Sequence, residues 1–193
     1  MEESFDGVEG VVSTVNTNQS TAPNGTNTAD EIGTVTTTQQ NRVANPHSVT
    51  SGKNYTYSVF IKYNNTDTVQ FYLGYANKMN GSGTFVFSTE TATVSGATGL
   101  SAGFDKLSNG WYRFYFTASA FTTGSTNSGF IGGTTGGEKV YVWGEQIEEG
   151  SSPSEYIPTG ATISGAPRFD HDPVTGESLG LLIEESSTNR NTK

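Results

Sequence analysis

The stretch that decides the fold is residues 55–63, which read Tyr55-Thr56-Tyr57-Ser58-Val59-Phe60-Ile61-Lys62-Tyr63. Apolar side chains occupy every second position, and polar residues hold the positions between them except at Phe60. Successive side chains of a strand point to opposite faces of its sheet, so this spacing places the apolar set on one face. The stretch therefore predicts a β-strand with one face buried in a core.

A second run with the same period follows closely. Val69, Phe71, Leu73 and Tyr75 alternate with smaller or more polar residues. Between the two runs lie residues 64–67, Asn-Asn-Thr-Asp, which favour turns. The two runs are therefore predicted to form a β-hairpin.

Two further strands are predicted at Trp111–Ala118 and Lys139–Ile147. In the first, rings occur on both faces, with Trp111 and Tyr115 on one side and Tyr112, Phe114 and Phe116 on the other. This pattern favours strands that are covered on both faces, either deep in a sandwich or against another chain. No window shows the apolar spacing of an amphipathic helix, and Gly, Ser and Thr fill the intervals. The fold class is predicted to be all-β, as a sandwich or a barrel.

The large apolar residues (Val, Ile, Leu, Phe, Tyr and Trp) are concentrated in the middle of the chain. Residues 54–147 hold 31 of them, whereas residues 1–53 and 148–193 hold 9 each, so a core is expected only in the middle. We predict a β-sandwich over residues 1–150, with a loop at 21–26 and weak or edge strands near Ile32–Val35 and Arg42–Val43. His47, which follows Pro46, is expected in a polar loop.

Residues 151–193 are predicted to form an extended C-terminal arm. Four prolines lie in it, and proline cannot donate to a sheet ladder; they are Pro153, Pro158, Pro167 and Pro173. The arm ends in apolar residues that are candidates for docking onto the sandwich or onto a neighbouring subunit, namely Leu179, Leu181, Leu182 and Ile183.

The composition and charge disfavour several classes of protein. Leu, Ile, Val and Phe make up 38 of 193 residues, near the limit for disorder, but 11% of the chain is aromatic, which disordered segments rarely are. The net charge of −9 disfavours binding to nucleic acid. There is no apolar run of membrane-spanning length, no signal-peptide pattern at residues 1–6, and no cysteine for a disulfide or a thiolate site.

Motifs for catalysis are weak. Residues 99–103, Gly-Leu-Ser-Ala-Gly, match the G-x-S-x-G nucleophile motif around Ser101, but the following residues lead into a strand instead of a helix. The acids Asp105, Glu145, Glu148 and Glu149 are of the type that hydrolyses glycosides, although a sequence does not show whether two of them face each other. The run from Asp170 to Glu177, around His171, fits a turn better than a calcium loop. We predict no enzyme activity, no cofactor and no metal.

Aromatic rings beside amides offer a softer signal for binding. Sugar rings present apolar C–H faces that stack on Tyr and Trp, and the candidates for such a platform are Tyr72, Tyr75, Tyr141 and Trp143. The same rings serve equally as core residues of a sandwich.

Several motifs together resemble a known family. They are residues 55–62, Asn109-Gly110-Trp111-Tyr112-Arg113, residues 140–150 (VYVWGEQIEEG), residues 154–160 (SEYIPTG), and the stretch from Pro167 to Glu185. The chain resembles, over roughly residues 20–189, the carbohydrate-binding-module-like jelly-roll modules of bacteriophage tail-fibre and other virion proteins, especially of marine and cyanobacterial phages. The family's usual opening, with Asn-Leu-Leu and a tryptophan in the first strand, is missing.

The resemblance implies a jelly-roll sandwich and a place in a phage particle. The expected function is a non-enzymatic virion structural protein (a tail fibre, tail accessory part or capsid decoration), made in the host cytoplasm. It is expected to assemble as a homo-oligomer, preferably a trimer, with other virion proteins. The alternative is a module that recognises host-surface glycan.

Overall fold

The computed structural model describes residues 13–34, 42–74, 78–131, 136–158, 169–171 and 178–181. The chain divides into two compact units, Met1–Thr159 and Gly160–Lys193. The described part of the first unit is built from two antiparallel sheets, and that of the second from one pair of short strands. Residues 151–158 belong to the first unit.

The six-stranded sheet of the first unit contains β1 (Ser13–Ser20), β2 (Ala29–Thr34), β4 (Asn54–Tyr63), β8 (Gly99–Lys106), β9 (Trp111–Ser119) and β11 (Lys139–Glu149). The five-stranded sheet contains β3 (Arg42–Val49), β5 (Thr68–Leu73), β6 (Gly81–Val86), β7 (Thr91–Ser95) and β10 (Gly124–Ile131). A 3-10 turn at Ser108–Gly110 joins β8 to β9. Among the described residues, no helix is long and apolar enough to cross a membrane.

The strand order is that of a jelly roll. It runs β1-β2-β11-β4-β9-β8 in one sheet and β3-β10-β5-β6-β7 in the other. When β1, β7 and β8 are set aside, the remaining eight strands, numbered along the chain, pair first with eighth, second with seventh, third with sixth and fourth with fifth. β1, β7 and β8 add further strands at the edges of this eight-stranded jelly roll. The predicted all-β, jelly-roll-type antiparallel sandwich is confirmed.

The predicted hairpin between residues 55–63 and 69–75 is wrong, because β4 and β5 lie in different sheets. β4 pairs with β9 and β11, whereas β5 pairs with β6 and β10. Residues 64–67 carry the chain from one sheet to the other, and Tyr57 faces Phe71 across the core with ring centroids 5.6 Å apart. A period of two decides which face a side chain takes, but it does not decide which strand lies alongside.

The core between the sheets is rich in rings. Its side chains with no exposed surface include Tyr57, Val59, Ile61, Phe71, Phe85, Phe114, Phe116 and Val142. Gly83 in β6 faces two of these rings closely, since a Cβ there would lie 2.3 Å from Phe116 and 2.7 Å from Phe114. Glycine in this strand therefore makes room for large aromatic side chains from the opposite sheet.

The outer face of the six-stranded sheet carries a second, smaller apolar group, which we call the outer cluster. It consists of Ala22, Ala29, Phe60, Trp111 and Trp143, with Leu107, Tyr141 and Tyr156 packed against it. The prediction that β9 and β11 are covered on both faces is confirmed. The outer cover comes from the same chain: the loop between β1 and β2, and residues 151–158. These rings therefore do not require a neighbouring subunit to be buried.

The loop expected around His47 is a strand. His47 lies in β3, at the edge of the five-stranded sheet, where Pro46 is tolerated because an edge strand has a free side.

The second unit contains the described strands β12 (Phe169–His171) and β13 (Ser178–Leu181), which pair antiparallel. Of the candidate docking residues, Leu179 and Leu181 lie in β13, whereas Leu182 and Ile183 lie outside the described residues. Pro153 and Pro158 lie in the non-strand segment after β11, and Pro167 and Pro173 fall outside the described ranges.

Candidate functional site

The four candidate platform rings are not brought together. Tyr141 and Trp143 lie on the same face of β11, in or against the outer cluster, whereas Tyr72 lies in β5 of the other sheet. Trp143 is 5% exposed and Tyr72 is 6% exposed, so neither offers an open ring face for a sugar in this structure. Tyr141 is half-buried, and Tyr75 lies outside the described residues.

A buried polar group on the outer face of the six-stranded sheet is Arg113 in β9. Its guanidinium donates hydrogen bonds to the carbonyl of Ser154 (2.6 Å) and to Oγ of Ser58 (3.0 Å), and it lies 5.6 Å from the centre of the Phe60 ring. Arg113 is 9% exposed, so its guanidinium group is largely shielded from water. The hydrogen bond from Arg113 to Ser154 fixes residues 151–158, which we call the connector, to the outer face of the six-stranded sheet.

Two side chains of β11 also bind the connector. Glu148 accepts the backbone N–H of Ser154 (2.8 Å), and Gln146 accepts the backbone N–H of Ile157 (3.0 Å). Burial by itself would raise the pKa of Glu148, but hydrogen bonds from Ser154 and Gln146 outweigh it and lower the pKa below its usual value. The connector is thus bound to the sandwich by two charge-assisted hydrogen bonds at Ser154 and by a neutral one at Ile157.

The ring of Tyr156 anchors the connector in the outer cluster. Its centroid lies 4.8 Å from that of Trp143 and 5.4 Å from that of Phe60. The ring rests on Gly144, where a Cβ would lie 2.9 Å from it. Gly144 has φ +60, a conformation that glycine adopts without strain.

Replacing Tyr156 by alanine is expected to uncover Trp143 and to lower the free energy of unfolding by about 1–3 kcal/mol, since a half-buried ring and its aromatic contacts are lost. The measurements are the tryptophan emission maximum, which should shift to the red, and urea unfolding. The matched control is Ile157→Ala at a side chain that is 59% exposed. An equal effect of both substitutions would contradict the anchoring role of Tyr156.

An open pocket of about 340 Å³ lies beside the outer cluster. The loop after β1, the end of β4 and the 3-10 turn before β9 form it, and its lining residues are Thr21, Ala22, Pro23, Gly25, Lys62, Leu107, Ser108, Asn109 and Trp111. Lys62 and Trp111 are neighbours across the β4–β9 ladder, and the Lys62 ammonium lies 5.9 Å from the Trp111 ring centre. The indole N–H of Trp111 donates to the Thr21 carbonyl (3.1 Å), which ties the loop to the sheet.

A polar cluster lies between the two sheets at a bulge of β11. The ladder between β11 and β4 shifts register between Trp143 and Gln146, and the extra residue Glu145 brings its carboxylate inward. The side-chain amide of Asn45 in β3 donates to this carboxylate, so the bond spans the two sheets. The Tyr57 hydroxyl faces the same carboxylate at a geometry that falls short of a hydrogen bond.

Burial decides the protonation of this cluster. It raises the pKa of Glu145 to about 7, although the hydrogen bond from Asn45 and the nearby Tyr57 hydroxyl favour the charged form. Burial, with Glu145 alongside, raises the pKa of Tyr57 well above its usual value. Burial also lowers the pKa of His47, partly offset by a hydrogen bond with the Asn45 backbone. No ion pair neutralises Glu145 in the part of the chain that the structure describes.

Glu31 in β2 shows the opposite arrangement. It is 8% exposed, and its carboxylate accepts hydrogen bonds from the ammonium of Lys139 (2.7 Å), from Asn16 (3.0 Å) and from Asn64 (2.8 Å). Burial alone would raise its pKa, but these donors outweigh burial and lower the pKa below its usual value. The pKa values of the two carboxylates are therefore shifted in opposite directions: among the described residues Glu31 has the ammonium of Lys139 beside it, whereas Glu145 has no cation partner.

The candidate catalytic residues, Ser101 and the four acids, do not come together in one site. Ser101 lies within β8, so the strand–turn–helix setting that a nucleophile elbow needs does not surround it. Ser128 Oγ lies 3.4 Å from His47 Nε2, but Ser128 has no exposed surface and accepts the N–H of Gly74. Of the candidate acids, Glu149 pairs with Lys53 (2.8 Å), Glu148 holds the connector, and Asp105 lies in β8.

Among the described residues, no group of three or more His, Cys, Asp or Glu side chains is placed to hold a metal ion. His171 lies in β12, and the residues that follow it, 172–177, are outside the described ranges.

Sequence reasoning did not predict the contacts of Arg113 and Lys62, and it named Glu145 only as a candidate acid. One local signal was available for Glu145: Gly144 interrupts an apolar strand pattern, which is typical of a bulge. The Asn109-Gly110 pair likewise marks the turn at the pocket. The partners of Arg113 and Lys62 come from distant parts of the chain, so no local sequence pattern predicts them.

No protein-family model matches the chain, and no match to it was found among the curated proteins.

Proposed function

We propose that this chain is a non-enzymatic structural protein of a phage particle, in which the jelly-roll sandwich is a rigid body on the virion surface. Its place is in a tail fibre, a tail accessory part or a capsid decoration. The family-like motifs support this role, and so does the jelly-roll topology, which viral capsid and lectin domains use. The observation that carries the proposal is the connector bound to the sandwich.

The connector matters because a particle needs its parts held in fixed orientations. Arg113, Glu148 and Tyr156 bind residues 151–158 to the outer face of the six-stranded sheet. The point at which the chain leaves the sandwich is therefore defined before assembly. Pre-ordering a segment reduces the conformational entropy that must be lost when it docks onto a partner.

The test of this role is the protein content of purified particles. We expect antibodies against the recombinant chain to detect it in particles of the source phage after density-gradient purification and a high-salt wash. Material that stays with the soluble lysate, with none in the washed particles, would overturn the proposal. A non-structural phage protein carried through the same gradient is the control for contamination.

The proposal includes assembly as a homotrimer, supported by the apolar segment around Leu179 and Leu181 at the end of the arm. Light scattering on the isolated 20.5 kDa chain should give about three times that mass. A monomer mass at high concentration would contradict the trimer. Leu181→Asp should reduce the mass to that of a monomer if this segment mediates the contact.

The alternative role, recognition of host-surface glycan, would require an accessible ring face. Of the candidate rings that the structure describes, Tyr141 is the one that is partly exposed. A glycan array with the chain in multivalent form distinguishes the two roles. Binding that Tyr141→Ala abolishes would favour recognition, and no binding at millimolar sugar would leave the structural role.

A further inference from the structure

The pocket beside the outer cluster has a feature that the structural role does not use. Among the described residues that line it, Lys62 alone is charged, although the chain carries a net charge of −9. Across the described residues, Lys62 forms no ion pair, and its ammonium faces the Trp111 ring. A cation left without a carboxylate in an acidic protein, at the wall of a pocket, is placed to meet an anion from outside.

The rest of the lining is divided between polar and apolar groups. Thr21, Ser108 and Asn109 are exposed, and the side chains of Ser108 and Asn109 make no hydrogen bond to any described residue. Ala22, Pro23, Leu107 and Trp111 supply the apolar part of the lining. A pocket with a few convergent polar groups and apolar walls is typical of a site for one small ligand. Its volume lies near the lower end of the range for small-molecule sites.

The loop that closes the pocket is held in position before any ligand arrives. Trp111 is 2% exposed and its indole N–H binds the Thr21 carbonyl. Within the loop, the N–H of Ala22 binds the Thr26 carbonyl (2.8 Å), and the N–H of Gly25 binds the Ala22 carbonyl (3.0 Å). The wall opposite, at Ser108–Gly110, is fixed by the N–H of Trp111, which donates to the Ser108 carbonyl. A pre-formed pocket loses little entropy on binding.

We propose that this pocket binds a small organic anion that carries one carboxylate beside polar and apolar groups, with Lys62 pairing with the carboxylate. Ser108 and Asn109 hydrogen-bond the polar groups of the ligand, and Pro23 and Leu107, the apolar lining residues that are only half-buried, contact its apolar part. Two sources share this chemistry: an acidic sugar unit and a free ring carboxylate. The proposal goes beyond the structural role and stands independently of it.

The test uses the two tryptophans of the full chain as reporters in ¹H–¹⁵N NMR spectra. The Trp111 indole N–H binds a pocket residue, whereas the Trp143 indole N–H binds Thr28, which does not line the pocket. Sodium glucuronate should shift the Trp111 signal saturably in the millimolar range and leave the Trp143 signal in place. Glucose, the neutral match, should bind at least about tenfold more weakly, since one charge-assisted contact is lost. Sodium chloride controls for ionic strength.

Variants assign the effect to Lys62. Lys62→Gln should weaken glucuronate binding at least about tenfold and Lys62→Arg should retain it. Lys78→Gln, at a lysine that does not line the pocket, should bind as the wild type does. The two indole signals in each spectrum show that the variant is folded.

The ligands and variants together decide between the outcomes. Binding of glucuronate but not benzoate identifies an acidic sugar, and comparable binding of both identifies ring carboxylates in general. The proposal is overturned if the Trp111 signal does not move, if both indole signals move together, or if Lys62→Gln and Lys78→Gln have equal effects.

Discussion

Replacing Phe71 by alanine is expected to lower the free energy of unfolding by about 3–5 kcal/mol, the loss typical of a fully buried phenylalanine. Phe71 has no exposed surface and connects the two sheets. Its ring lies 5.6 Å from Tyr57 and 6.1 Å from Phe114, both in the opposite sheet, and 5.7 Å from Phe130 in its own. Truncation leaves a cavity where the two layers meet, and a rigid packed core closes it only in part.

Urea unfolding followed by near-ultraviolet circular dichroism measures this effect. The matched control is Phe121→Ala at a ring that is 48% exposed, for which we expect a change within about 0.5 kcal/mol. Phe71→Leu should fall between the two. A loss for Phe71→Ala no larger than that for Phe121→Ala would contradict the placement of Phe71 at the centre of the sandwich.

Replacing Glu145 by glutamine is expected to raise the free energy of unfolding at pH 8 by about 2–3 kcal/mol and to leave it nearly unchanged at pH 4.5. The pKa of Glu145 is raised to about 7 by burial, so the folded state holds this proton more tightly than the unfolded state does. Stability contributed by the protonated form is therefore present below the ordinary pKa of 4.5 and is lost as the pH rises towards 7. Glutamine stays neutral and still accepts the hydrogen bond from Asn45.

His47 has the opposite slope over part of the same range, because burial lowers its pKa and favours the neutral ring of the folded state. Comparing wild type and variant at each pH removes this contribution, since His47 is present in both. Unfolding by urea at pH 4.5, 6 and 8 gives the difference directly.

Two further carboxylates serve as controls for Glu145→Gln. Glu155→Gln, at an exposed side chain, should change the free energy of unfolding by less than about 0.5 kcal/mol. Glu31→Gln should destabilise the protein near neutral pH, because it removes the charge that Lys139 pairs with. A Glu145→Gln variant that is less stable than wild type at pH 8 would show instead that the carboxylate is stabilising when ionised.

Much of the fold is readable from particular residues. The alternation in residues 55–63 and the rings on both faces of residues 111–118 correctly indicate strands and two-sided burial. Strands β6, β8 and β10 are far less readable, because glycine and serine stand where an apolar pattern would otherwise appear. Gly81 and Gly103 show why: a Cβ at Gly81 would lie 2.5 Å from Ala118, and one at Gly103 would lie 2.8 Å from the Tyr115 ring.

The candidate sites depend on long-range pairing, which a local pattern does not carry. Arg113 meets Ser154 across 41 residues, and Asn45 meets Glu145 across 100. Trp143 and Tyr72 are rings of the right type for a binding platform, but neighbouring residues bury them. Residue type therefore predicts the chemistry that is available, and the topology decides whether it is accessible.

A cryo-EM reconstruction of the intact particle tests the central claim most directly. We expect a density that accepts the two-sheet sandwich as a rigid body, repeated about a threefold axis on the surface of the virion, with residues 151–158 lying along the outer face of the six-stranded sheet. A fully assigned map of the particle in which no surface density accepts this sandwich would contradict the structural role.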